Sequence, residues 1–206
     1  KLMGKNGNPY LVTLTSKLLQ LVLTKLANFV PCGGIWMNTQ RPEWNDANNA
    51  LAGYGLSIVT TAYLRRMLSF LKGLYAASPD ASFTLPKTEK AFFDEILKIY
   101  SGTAPENTNN DTARAQFTRA CGVAFEKERK AFYKDPSLLT KTTSIKKDEL
   151  LAAIDVFMNH LEYSIKANKK DNGLFHSYNI LGIGKDTMKV SYLQEMLEGQ
   201  VAVLSS

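Results

Sequence analysis

The sequence predicts an all-α fold, for three reasons. Apolar residues recur at three- and four-residue spacing through most of the chain. Strand-like alternation is sparse. The stretches between periodic segments are polar and turn-rich, and longer than the tight turns of a simple bundle. With 206 residues, 45% of them hydrophobic and 21% charged, the chain can bury one sizeable core and reads as a single helical domain over residues 1–206.

The first helix is expected from Leu14 to Phe29, with Leu14, Leu18, Leu21, Val22, Leu26 and Phe29 on one stripe. "PCGG" (Pro31 to Gly34) stops it, because proline lacks a donor and glycine tolerates positive φ. After an irregular segment to Asp46, a long helix is expected over Ala47–Ala77. It is apolar nearly all round as far as Arg65 and Arg66, so neighbours should bury it on several sides. "SPDASFTLP" precedes a third helix, Lys87–Tyr100, and "SGTAPENTNND" a fourth, Thr112–Tyr133. "KDPSLLTKTTS" leads to a fifth, Lys146–Lys169, which opens after Ser144 with acids near its start. Leu174–Ile183 is too short and irregular to assign as a strand, and a last helix is expected from Val190 onward. No sequence repeat of fixed period is visible.

Composition weighs against several classes of function. The formal charge is +6, but lysines and arginines mostly alternate with acids, as in "FEKERKAFYKD", which describes a solvated helix face and no nucleic-acid groove. Two cysteines and two histidines form no metal-ligand spacing and no disulfide framework. The apolar run "LLQLVLTKLANFV" is interrupted by Gln20, Thr24, Lys25 and Asn28, so no membrane insertion is expected. The chain starts at Lys1 and stops at "VAVLSS", inside what reads as a continuing helix. It is therefore expected to be a fragment of a larger protein; a soluble chain, cytoplasmic or periplasmic, is the expectation, with the compartment left open.

The least ordinary stretch is "GGIWMNTQRPEWNDANNALAGYG", Gly33 to Gly55, which holds both tryptophans. Sugars present flat apolar faces edged with hydroxyls. A site for them needs indoles to stack on, and amides and carboxylates that donate and accept around the rim. Trp36, Arg41, Glu43, Trp44, Asn45 and Asp46 supply that mixture within a few residues. Glycosidic cleavage also needs a carboxylic acid of raised pKa, and Glu43 and Asp46 are the acids of this segment. On one helical turn their Cβ atoms would lie about 5–6 Å apart.

"EWNDANNALAGYG" resembles the "DWNDGMN" motif of cellobiose-phosphorylase-type and cyclic-glucan-processing enzymes, and "DNGLFHSYNIL" with "YLQEMLEGQVAVLSS" more loosely resembles their later helices. The resemblance implies helical hairpins forming part of an (α/α)6 toroid, about half of a full barrel, around a sugar-binding funnel. It implies cleavage or phosphorolysis of glycosidic bonds in glucan-like oligosaccharides. Asp46 would be the proton donor and Glu43 its reserve. Trp44, Asn45, Arg41, Trp36, His176 and Tyr178 would contact substrate. No cofactor is implied, and a phosphorylase would take inorganic phosphate as co-substrate. The chain departs from the motif at Pro42-Glu43 and Ala47-Asn48, and has no counterpart of the phosphate-binding residues. The expected partners are an oligosaccharide and either the missing half of the toroid or a second copy.

Each residue also has a structural reading. Asp46 or Asn45 caps the long helix, Glu43 pairs with Arg41, the tryptophans anchor the core or the loop, and His176 is a hydrogen-bonded structural histidine. Glu195 and Glu198 read as sharing a helix face, either as an opposing acid or as a solvated surface. A non-catalytic helical scaffold or protein-interaction fragment is the alternative function, and an RNA- or membrane-surface-binding helical domain driven by the positive charge is a third.

Overall fold

The computed structural model describes Met3 and residues 7–38 and 50–206. Among these, 59% are helical and 18% are in strands, and the strands include a curled five-stranded antiparallel sheet, a half-barrel. The all-α expectation is therefore overturned, and with it the (α/α)6 toroid and the need for a missing toroid half. Among the described residues no helix is long and apolar enough to cross a membrane.

Helix α1 (Leu14–Ala27) begins where the Thr13 side chain accepts from the Ser16 N–H. It ends two residues earlier than its apolar stripe implies, because Phe29–Val30 is strand β1. The "PCGG" segment is thus the turn of a hairpin leading into β2 (Gly34–Trp36), with Val30 opposite Gly34. β2 pairs with β3 (Gly55–Ser57), so the expected 47–77 helix is cut: helix α2 covers only Ile58–Ala77, and Ser57 caps it by accepting from Thr60. β3 pairs in turn with β6 (Tyr178–Ile183), which pairs with β7 (Met188–Tyr192). The segment left unassigned around 174–183 and the start of the expected terminal helix are therefore the last two strands. Helix α6 is confined to Leu197–Leu204. Glu195 lies before that helix, so it and Glu198 do not share a helix face.

The other helices follow the sequence closely: α3 (Lys87–Ser101), α4 (Asp111–Lys134, capped by Asn110) and α5 (Lys147–Ala167). Strands β4 (Ser82–Pro86) and β5 (Thr142–Lys146) run directly into α3 and α5 and pair antiparallel, with Thr84 opposite Ser144. This makes two α–β–α units, α2–β4–α3 and α4–β5–α5, related by a pseudo-twofold. The Lys87 N–H donates to Lys141 O (2.7 Å) and, sixty positions on, the Lys147 N–H donates to Ala81 O (2.9 Å). Leu85 and Ile145 occupy equivalent buried positions. The units are related by architecture, with too few identities to show as a sequence period.

The main core joins α1 to both units. Tyr100 of α3 is its centre, edge-on to Phe117, Phe157 and His160 at 4.9, 5.2 and 4.8 Å. Its hydroxyl donates to Leu26 O, and His160 Nε2 lies 2.9 Å from Tyr100 O, so these buried polar atoms have partners. Burial holds the His160 imidazole below its usual pKa, and hydrogen bonds to backbone carbonyls offset part of that shift. The sheet has a smaller apolar cluster on each face. One gathers Val30, Leu56, Leu181 and Met188 against Ala115 of α4, and the other gathers Val59, Ala62, Ile165 and Tyr178 beneath Ala202 of α6.

Candidate functional site

The sequence motif lies between β2 and β3. Arg41, Glu43, Trp44, Asn45 and Asp46 fall outside the described residues, but the two ends that carry them are fixed. The Met37 N–H donates to Gly55 O and the Gly53 N–H donates back to Met37 O, both at 2.8 Å. The Trp36 indole N–H reaches across to Gly53 O at 3.0 Å. Tyr54 donates its hydroxyl to Ala50 O, while its own carbonyl accepts from Leu181 N–H of β6 at 2.8 Å. Side chains of adjacent strand residues point to opposite faces. Trp36 therefore packs with the Leu56 cluster, and Met37 joins the Leu51–Val59 cluster on the other face. Both clusters brace the root of this connection. Trp36 is half-buried, and Tyr54 beside it is 47% exposed.

Glycines permit the close approach. At Gly55 a Cβ would lie 2.4 Å from Leu51 Cβ and 2.5 Å from Met37 Cε, and Gly53 adopts φ +89°. The long helix α2 carries its own cap, Ser57, so it does not require one from Asn45 or Asp46.

A second polar construction, missed at the sequence level, holds the β1–β2 turn. Cys32 sits at φ 60°, an uncommon conformation for a non-glycine residue. Its N–H donates to Ser164 Oγ (3.0 Å), and its carbonyl accepts from Asn168 Nδ2 (2.8 Å). Asn179 Nδ2 donates to Gly33 O and to Asn168 Oδ1, each at 2.8 Å. The buried Arg114 guanidinium donates to Pro31 O, Met188 O and Asp111. Burial raises the Cys32 thiol, and the Arg114 charge offsets part of that. The only trace of this network in the sequence is a scatter of asparagines, whose positions relative to one another depend on the fold.

Tyr178 is the first residue of β6, and His176 lies two residues before it in an isolated antiparallel bridge with Glu195. Tyr178 pairs with Ser57, two residues along from Gly55 at the root of the motif. Tyr178 is buried, and its hydroxyl donates to Glu198 Oε2 at 2.8 Å. The His176 ring stacks on Tyr192 at 4.6 Å, and its Nδ1 lies 2.7 Å from Leu193 O. Glu195 is paired with Lys170, whose hydrogen bond holds its carboxyl below the usual range.

Elsewhere a groove of about 750 Å³ runs between α3 and α4, lined by Phe117, Ala120, Ala124, Lys98, Gln116 and Lys127. Among the described residues no group of three or more histidine, cysteine or acidic side chains is arranged to hold a metal ion. Compared with known proteins, the chain matches no family of related sequences and no curated protein.

Proposed function

We propose that the connection between Trp36 and Gly53 is an oligosaccharide-recognition segment, with Asp46 protonating a departing glycosidic oxygen. One observation supports this reading: the segment richest in indole, amide and carboxylate groups springs from a root pinned at both ends and braced on both faces of the sheet. Binding residues held on a loop over a rigid scaffold are the common arrangement for recognition. Trp44 and Trp36 are the stacking surfaces, Asn45 and Arg41 meet the hydroxyls, and Glu43 is the reserve acid.

Trp36 and Trp44 are the only tryptophans, so intrinsic fluorescence reports directly on this segment. A panel of gluco-oligosaccharides should quench or shift it, and Trp44→Phe should remove most of the response. Product analysis with and without inorganic phosphate then compares the unmodified chain with Asp46→Asn. Removing a general acid should slow cleavage by about 10²–10⁴-fold. A fully active Asp46→Asn chain would remove Asp46 from the mechanism.

A second reading, a protein-interaction module, is favoured by exposed apolar residues spaced along α2, where Tyr63, Phe70 and Leu74 are 40%, 65% and 45% exposed. In that case the sugar panel leaves the fluorescence unchanged, and Phe70→Ser weakens self-association measured by sedimentation.

A further inference from the structure

The pseudo-twofold places Glu89 and Glu149 at equivalent positions, in the first turns of α3 and α5. Their surroundings differ. Glu149 has a 37% exposed side chain and pairs with Lys90 at 3.0 Å. Glu89 is covered by α1 and only 1% exposed, with Ser16 Oγ donating to its Oε2 and, among the described residues, no partner on Oε1. Glu128 of α4, 5% exposed, is a second buried acid, and its Oε1 also lacks a partner among the described residues. It lines a cavity of about 100 Å³ with Thr88, Phe92 and Ala124, and this cavity adjoins the larger α3–α4 groove through Glu95, Ala124 and Lys127.

We propose that Glu89 and Glu128 form a proton-operated latch at the junction of α1, α3 and α4: protonated, they keep the three helices packed, and ionised, they loosen the α3–α4 seam.

Two buried carboxylates without a countercharge oppose close packing. Among the described residues, the groups facing them supply none. α1 contributes the neutral Ser16 hydroxyl to Glu89, and α2 contributes the Tyr75 phenol, which burial keeps protonated. On α3 itself, Glu95 is an acid and raises Glu128 further. The nearby cations are already engaged: Lys127 with Glu95, and Lys90 with Asp94 and with Glu149 of α5.

Burial pushes both carboxyls up to about 7, with the Glu128 charge adding to the shift at Glu89. The unfolded chain ionises them near the ordinary 4.5. Between those values the folded state holds protons that the unfolded state has released. The stability they support is therefore complete below pH 4.5 and lost as pH rises through 7.

The test is melting temperature against pH for the unmodified chain and for Glu89→Gln, Glu128→Gln and the double variant. We expect the unmodified chain to lose roughly 10 °C between pH 5 and 8.5. Each single variant should lose about half as much, and the double variant should be nearly flat over that range. Hydrogen exchange, corrected for intrinsic base catalysis, should quicken with pH in α3 and α4 ahead of α5. A double variant whose curve parallels that of the unmodified chain overturns the latch. If the variants do not fold, carboxyl ¹³C titration of the unmodified protein decides: two glutamates titrating near 7 support the latch, and all of them titrating at ordinary acid pH refute it.

Discussion

Gly34 is the position where one methyl group should do most damage to the proposed site. Its φ is +116°, and an added Cβ would lie 2.7 Å from both the carbonyl carbon and oxygen of Ser57 and 3.0 Å from Ile58 N. These are backbone atoms with little freedom. Ser57 pairs with Ile35, caps α2 through its side chain, and accepts from Thr61 Oγ1 at 2.8 Å through its carbonyl. Strain at a conformation reserved for glycine costs about 1–3 kcal/mol, and forcing a group into a packed site costs about 1–3 kcal/mol more. Gly34→Ala should therefore destabilise by about 2–6 kcal/mol, which lowers Tm by roughly 10 °C in a domain of this size. It should also weaken any oligosaccharide response, because β2 carries Trp36 to the root of the motif. Gly53→Ala separates the two causes. There φ is +89° but nothing lies within 4 Å, so only conformational strain applies, about 1–2 kcal/mol. Gly73→Ala, in the middle of α2 with nothing within 4 Å, should stabilise by about 1 kcal/mol. Thermal melts of the three variants test the ordering. Equal losses for Gly34→Ala and Gly53→Ala would refute the steric argument.

Two further outcomes follow from the turn network and the buried thiols. Asn168 is fully buried, donates to Cys32 O and Ser164 O, and accepts from Asn179. Asn168→Ala should therefore cost about 2–4 kcal/mol through the polar atoms it leaves unpaired, lowering the urea midpoint with little change in slope. Cys32 and Cys121 are both buried, and burial raises both thiols, Cys121 to about 12. Neither should react with an aromatic disulfide reagent at pH 8 until the chain is unfolded, when two equivalents should appear. Rapid native labelling of Cys32 would contradict the burial of the β1–β2 turn, and of Cys121 the packing of α4.

The amphipathic helices were legible in the sequence because a helix is specified by neighbours three and four residues away. Expected bounds of Lys87–Tyr100 and Thr112–Tyr133 became Lys87–Ser101 and Asp111–Lys134. The motif between Gly33 and Gly55 was equally visible, as an unusual concentration of side-chain types. The sheet was not. β1 has two residues and β2 and β3 three each, too few to display a two-residue period. Gly55–Ser57 sits inside an apolar run that reads as continuous helix, since neither a buried helix nor a buried strand alternates with polar residues. It becomes a strand through hydrogen bonds to residues 178–180, far along the chain. The same holds for the buried polar groups. Glu89 and Glu149 occupy like positions in like units, yet α1 buries the one while Lys90 pairs with the other in the open. Local periodicity determined where the helices lie. Long-range pairing decided which segments are strands and which acids lose contact with water, because backbone pairing and desolvation depend on neighbours that only the folded chain brings together.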